Sequence, residues 1–332
     1  MTRPPKAVVN HDENRDRRVN ADPLRAAVVF SRLLTVGVVL FAGGQLVGLP
    51  ALSSSAVIVV AGIGLLAGLP HGGIDHLMAM RLAGRSAVPV VIVYAGLAAA
   101  AWAVLRWGGP VALLIVVALS AVHFGMGELE VTSETTGWRP ARPVAAAIVV
   151  GGCGALLLPL ARSGDQFSHV AGAVSPGLAH AIGLTPVRTG TLVLWLAAAL
   201  IAVTAALATG HGASALDIVL IGMLGMLVQP LVAFAAWFGG WHSVRHCARM
   251  MNREPGCAAL LAQGRPRSAS LRLAGLVAPM SIAALCVVVA LAWLTVTAPD
   301  PPAMLAEVLR VLLALTVPHM AVVWWLDRRR AA

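Results

Sequence analysis

Four stretches of this chain place histidine in otherwise apolar surroundings. They are LPHGGIDHLM with His71 and His76, AVHFGMGE with His123, GGWHSVRHCARM with His242 and His246, and TVPHMAVVWW with His319. Ionisable side chains inside apolar segments are costly and tend to be functional. His242 and His246 stand four apart, so on a helix they share one face with Cβ atoms roughly 6 Å apart. Two such imidazoles can chelate one metal at about 2.1 Å per bond. An HxxxH spacing alone also describes two hydrogen-bonded histidines beside a basic loop. Here the pair starts inside an apolar run, and His71 and His123 lie at similar depth in separate runs. The expected metal ligands are therefore His71, His123, His242 and His246, with no catalytic residue expected beyond them.

The neighbours of these histidines have more than one reading. Pro70 and the Gly72-Gly73 pair loosen the helix around His71 and allow close approach. Asp75, four residues on, can hold a ligating imidazole in the right tautomer, pair with Arg81, or cap a helix. Glu128 is either a similar partner or the first residue of a loop. His319 is either a fifth imidazole or a group that supports the others or lines the substrate. Phe124, Trp241 and Met320, together with Phe234, Trp237, Phe238, Met223, Met226, Trp324 and Trp325, could line a tunnel for a long apolar molecule. Helix packing or an interfacial aromatic belt accounts for any one of them equally well. His76 and His211 carry less signal, and His11, His169 and His180 read as solvated.

What must position these residues follows from composition. Of 332 residues, 59% are hydrophobic and 11% charged. A soluble domain carries roughly a quarter charged residues, so this reads as an all-α, polytopic transmembrane helix bundle. The formal net charge of +10 comes from arginines spread over chain ends and short loops. In so apolar a chain they read as topology determinants at a lipid surface, not as a nucleic-acid interface. The single lysine, Lys6, lies in the polar N-terminal stretch, which excludes a retinal Schiff base inside the membrane. Cys153, Cys247, Cys257 and Cys286 form no CxxC pair and need no disulfide framework.

Residues 1–23 read as a disordered polar tail without the apolar core and cleavage site of a signal peptide. Residues 24–328 read as a single transmembrane domain. Apolar runs fall near 25–48, 51–80, 87–107, 110–127, 141–161, 189–209, 213–229, 230–252, 272–296 and 303–326. That gives about eight to ten spans, the pair around Gln229-Pro230 being the weakest. A cytoplasmic N-terminus puts Arg15, Arg17, Arg18, Arg25, Arg81, Arg85, Arg139, Arg142, the Arg245 to Arg272 cluster and Arg328 to Arg330 inside. It leaves Arg106, Arg162 and Arg188 outside. This asymmetry favours an even number of spans with both termini cytoplasmic, in the cell membrane.

Four neutral imidazoles suit Fe(II), Cu or Zn. A lipid-like substrate and O₂ chemistry favour the iron. The set PHGGID, HFGMGE, WHSVRH and PHM, in that order across residues 60–326, resembles the Brp/Blh family of β-carotene 15,15′-dioxygenases. The resemblance implies an integral membrane enzyme that uses Fe(II) and O₂ to split β-carotene at its central double bond, giving two all-trans-retinal molecules. It implies iron ligation by His71, His123, His242 and His246, and a rhodopsin as a conceivable taker of the retinal. The PH pair at His319 also matches, with its role open. Two alternatives stand beside this: another membrane-embedded metal oxidase of lipid-like substrates, and a non-enzymatic carotenoid-binding or transport protein. The chain has no HH dipeptide of the kind desaturases carry, and its histidines gather towards one face.

Overall fold

The structure, a computed structural model, describes residues 22–162, 172, 175–296 and 301–331. The polar tail with Lys6, His11, Arg15, Arg17 and Arg18, and the loop residue His169, lie outside the described residues. Helices and turns make up the described chain. They begin with α1 (Pro23–Leu46), α2 (Ser54–Gly68), a 3₁₀ turn (Leu69–Gly72), α3 (Asp75–Ala83), α4 (Ala87–Trp107) and α5 (Gly109–Thr136). Next come α6 (Arg142–Gly152), α7 (Gly154–Arg162), α8 (Pro176–Gly183), α9 (Thr185–Ala208) and α10 (Gly212–Leu227). The last part is α11 (Pro230–Ala235), a π turn (Ala236–Ser243), α12 (Val244–Arg253), α13 (Pro255–Ala262), α14 (Pro266–Val296) and α15 (Pro301–Ala331).

Local sequence sets the element ends. The Asp22 carboxylate accepts from the Leu24 N–H at 3.0 Å with Pro23 at the first helical position, which opens α1. Ser53 caps α2 in the same way, its Oγ accepting from Ala56 N–H at 3.2 Å. Gly84 and Gly137 close α3 and α5 in the left-handed region, at φ 61° and 74°.

Among the described residues, seven helical segments are long and apolar enough to cross a bilayer, or eight if the bent α6–α7 pair counts as one span. Eight is the lower end of the expected range of eight to ten, and seven falls one below it. The bend of 59° falls between Gly152 and Gly154, and Cys153 ends α6 there. The segments on either side of Gln229 do not meet that test. Helix α10 has 16 residues, and the run from Pro230 to Arg253 carries three arginines. Together they form a hairpin through the centre of the bundle. Ile221, Leu224, Trp237 and Trp241 are all fully buried, so these helices need no lipid-facing surface. Around them α1, α4, α9 and α14 turn Leu40, Ile92, Leu200 and Trp293 outward, where acyl chains would cover them.

Both described ends of the chain lie at one end of the bundle. Asn252 Nδ2 donates to Asp22 at 3.3 Å, and Arg253 donates to Asp327 at 2.9 Å. Three arginines from the expected headgroup cluster turn inward instead. Arg245, Arg249 and Arg253 are no more than 4% exposed as side chains. Spaced four apart on α12, they share one face, and that face meets carboxylates rather than lipid. Arg245 pairs with Glu128 at 3.0 Å and Asp217 at 3.2 Å, while Arg32 reaches Asp217 at 2.6 Å. Arg249 and Arg253 both reach Glu134 and Asp327.

The opposite end uses its arginines to satisfy carbonyls freed where helices break. Arg162 donates to the Gly225 and Val228 oxygens, and Arg188 to the Ala161 and Arg162 oxygens. Cys153, Cys247, Cys257 and Cys286 are free thiols.

Candidate metal centre

Three of the histidines, His71, His242 and His319, arrive at the centre by a local irregularity. His71 sits in the 3₁₀ turn that Pro70 starts at the end of α2, and its Nδ1 donates to the Gly68 carbonyl. That fixes the tautomer and leaves Nε2 as the nitrogen with a free lone pair. His242 belongs to the π turn and His246 to the first turns of α12. π turns carry an extra residue and re-aim side chains, which is why they recur at functional sites. His319 follows Pro318, which interrupts the hydrogen-bond ladder of α15. His123 alone comes from the middle of a regular helix, α5.

Close backbone approach brings these elements together. A Cβ on Gly239 would stand 2.1 Å from the Gly64 carbonyl oxygen, and one on Gly64 would stand 2.7 Å from that of Ala235. Helix α2 and the π turn therefore touch backbone to backbone, the small-residue packing common between membrane helices.

Five imidazoles converge as a result. The His71 ring lies 5.3 Å from that of His242, 5.8 Å from His246 and 4.6 Å from His319, centroid to centroid. His123 lies 5.5 Å from His242 and 4.9 Å from His319. His246 lies 5.2 Å from His319 and 6.1 Å from His242. The four expected ligands are thus brought together, and His319 lies among them. Coordinating atoms of His71, His242 and His319 all fall within 4.8 Å of one another.

The donor set fits a metal dication on an observation independent of the motifs. The Nε2 atoms of His123, His242, His246 and His319 are buried with no hydrogen-bond partner. A buried polar atom left unpaired costs about 1–3 kcal/mol, and four of them aimed into one cluster are the arrangement that a bound cation relieves.

The neighbours sort differently from expectation. Asp75 supports His319 rather than His71, accepting from its Nδ1 at 2.8 Å, and it also accepts from Tyr94 Oη at 2.9 Å. Arg81, its other expected partner, pairs with Glu254 at 2.8 Å. Glu128 is buried inside α5 rather than opening a loop. It accepts from Trp241 Nε1 at 2.7 Å and from Arg245, so it anchors the neighbouring helix instead of a histidine. Trp241 is fully buried beneath the Arg245 guanidinium, 3.6 Å from ring centroid to Cζ.

Phe124 packs edge-on against His242 at 4.7 Å, and Phe238 against His71 at 5.2 Å. Met320 is half-buried and does not line the cavity described next. Met223 and Met226 face outward, and Trp324 stacks under Arg328 as a belt residue would. His76 bonds the Gly73 carbonyl, His211 stacks on Trp138 at 4.8 Å, and His180 is exposed.

An apolar cavity of about 860 Å³ runs from the end of the bundle opposite the buried arginines to Phe124 and Phe238, the two rings that pack against His242 and His71. Gln45, Arg188 and Gln229 mark its far end, and Phe124, Phe234 and Phe238 line the near end. Tyr94 is the residue that sequence reasoning missed. It is the single tyrosine of the chain, a lone hydroxyl in an apolar span, and that isolation was the available signal.

Comparison with known proteins agrees with this geometry. The chain is 32% identical over 289 residues to the probable β-carotene 15,15′-dioxygenase Blh of Halobacterium salinarum, covering 79% of this chain and 81% of that one. No solved structure matches the chain. The profile of the β-carotene 15,15′-dioxygenase family matches residues 62–327, which include all five converging histidines, and the chain belongs to that family.

Proposed function

We propose that this membrane protein cleaves β-carotene at its central 15,15′ double bond with O₂, and that the metal involved is iron(II) held by His71, His123, His242 and His246. The observation that carries the reading is the imidazole cluster at the inner end of a long apolar cavity. The reaction balances without an external reductant: one carbon–carbon double bond breaks, and each half takes one oxygen atom to become retinal.

Iron(II) bound there would supply the redox chemistry that lets O₂ react with an alkene. The chain's own residues do the rest. Phe124, Phe234 and Phe238 offer flat apolar surface to a polyene arm and direct it towards the histidines. The cavity walls hold the alkene in place and exclude water, so orientation rather than acid–base chemistry is the protein's contribution. The His71 Nδ1 bond to Gly68 keeps that imidazole turned with Nε2 forward.

The arginine distribution supports a cytoplasmic location for the end carrying both chain termini, in the cell membrane. The retinal formed is the chromophore that a rhodopsin partner would take.

Expression in bacterial cells that accumulate β-carotene tests the reading. The wild type should bleach the cells and yield retinal on extraction, and His242→Ala should do neither while reaching the membrane in equal amount. Persistent carotene with wild-type protein present in the membrane would overturn it.

A further inference from the structure

Among the described residues, carboxylates follow a rule with one exception. Asp22, Glu128, Glu130, Glu134, Asp217, Glu254, Glu307 and Asp327 each pair with an arginine. Asp75 is 2% exposed, and its ion-pair partner among the described residues is a histidine, His319. A carboxylate this deeply buried needs a positive counterpart.

We propose that the counterpart is the metal itself, reached through His319 as a fifth imidazole ligand. Asp75 acts as the positioning residue that presents the imidazole, and Tyr94 holds Asp75. The inference rests on the metal-site reading above and extends it.

Three observations converge on this. The Asp75 carboxylate takes the Nδ1 proton at 2.8 Å, which commits His319 to the tautomer whose Nε2 is a free lone pair. That Nε2 is buried and has no hydrogen-bond partner. The ring stands between its neighbours, 4.6 Å from His71, 4.9 Å from His123 and 5.2 Å from His246, nearer to each of them than His242 is.

A carboxylate on the far side of a ligating imidazole raises its basicity and fixes its plane. Tyr94 gives the same carboxylate oxygen a second donor at 2.9 Å, which keeps it from turning away. Neither role would be required of a histidine that merely filled space in the core.

The test uses full-length protein in lipid nanodiscs, titrated anaerobically with Fe(II) and, separately, with Co(II) as a spectroscopic probe. His319→Asn keeps an amide N–H for Asp75 but lacks Nε2. It should bind Fe(II) at least about tenfold more weakly than wild type, with a shifted Co(II) visible spectrum. Asp75→Asn should weaken metal binding about 10- to 100-fold, the usual effect of removing such a support, with thermal melting little changed. Tyr94→Phe should lie between Asp75→Asn and wild type.

Wild-type affinity and an unchanged Co(II) spectrum in His319→Asn would overturn the fifth ligand and leave the four-imidazole reading standing. Wild-type protein that binds neither metal would overturn both. If His319→Asn does not fold, the near-isosteric Asp75→Asn decides by the same two readouts.

Discussion

The two ends of the bundle solve opposite problems with the same kind of helix. Towards the end that carries Gln45, Arg188 and Gln229, side chains withdraw and leave an apolar cavity. Towards the end that carries Asp22 and Asp327, the interior is filled by arginines interlocked with carboxylates. The histidines lie where one regime gives way to the other. The cavity offers room and mostly apolar walls, so it can admit a polyene. The ionic end offers rigidity and no room, so it can hold helices in fixed register behind the histidines.

Breaking the ionic end should have the largest effect. Arg245→Met leaves Glu128 and Asp217 buried without their shared cation, and losing one partner of such a pair costs about 3–5 kcal/mol. Thermal denaturation in nanodiscs should show a strongly destabilised protein, with metal loading lost in proportion to the unfolded fraction. A variant that melts like wild type would show that the network is not what holds α12 in place.

Breaking the junction comes next. Gly239→Val drives a side chain into the Gly64 carbonyl and parts α2 from the π turn. His71 and His242 then separate, and bound iron should fall more than about tenfold at nearly unchanged helical content by circular dichroism. The cavity end should respond differently. Val117→Phe fills part of it, so retinal formation should drop while bound iron and melting temperature stay at wild-type values. A parallel loss of iron would mean that cavity and metal site are not separable.

The smallest effect is expected at Glu254, a buried carboxylate held between two half-exposed arginines. Burial alone would raise the Glu254 pKa, but hydrogen bonds from Arg272, Arg81 and the Cys257 N–H hold the carboxyl well below its usual range. A depressed folded-state pKa gives stability that is complete above the unfolded value of about 4.5. That stability is lost progressively as pH falls below it. Glu254→Gln should therefore melt a few degrees below wild type at neutral pH, with the gap narrowing below about pH 4.5. A gap that stays constant with pH would show that helix capping, not charge, is what Glu254 contributes.

The histidine cluster was legible from the chain because imidazoles in apolar runs have few other reasons to exist. Depth along the spans then separated His71, His123, His242 and His246 from His11, His169 and His180. What depth could not reveal is rotation about each helix axis. Spacing offers Asp75 to His71, beside pairing with Arg81 or capping a helix, yet the 3₁₀ turn at Pro70 breaks helical periodicity between them and aims the carboxylate at α15. Arg245, Arg249 and Arg253 were read as headgroup contacts because charge near a span end usually is. Their acidic partners lie more than a hundred residues earlier on α5, 28 residues before Arg245 at Asp217, or more than seventy later at Asp327, beyond any local pattern. The cavity was barely legible: of the aromatic and methionine residues that could line a tunnel only Phe124, Phe234 and Phe238 border it, because empty space depends on three-dimensional packing.

The π turn at Ala236–Ser243 has a consequence for how the chain tolerates changes in length. It holds more residues than an α-helix would need over the same rise. Deleting one residue there would leave an unbroken helix of ordinary pitch. The wide turn absorbs its extra residue, so after the deletion α12 would keep its phase and Arg245 its carboxylates, while side chains inside the turn would be re-aimed. His242 sits in that turn, so a change that costs nothing in helix continuity would move a histidine out of the cluster. The length of this segment is therefore as constrained as the identity of its histidines.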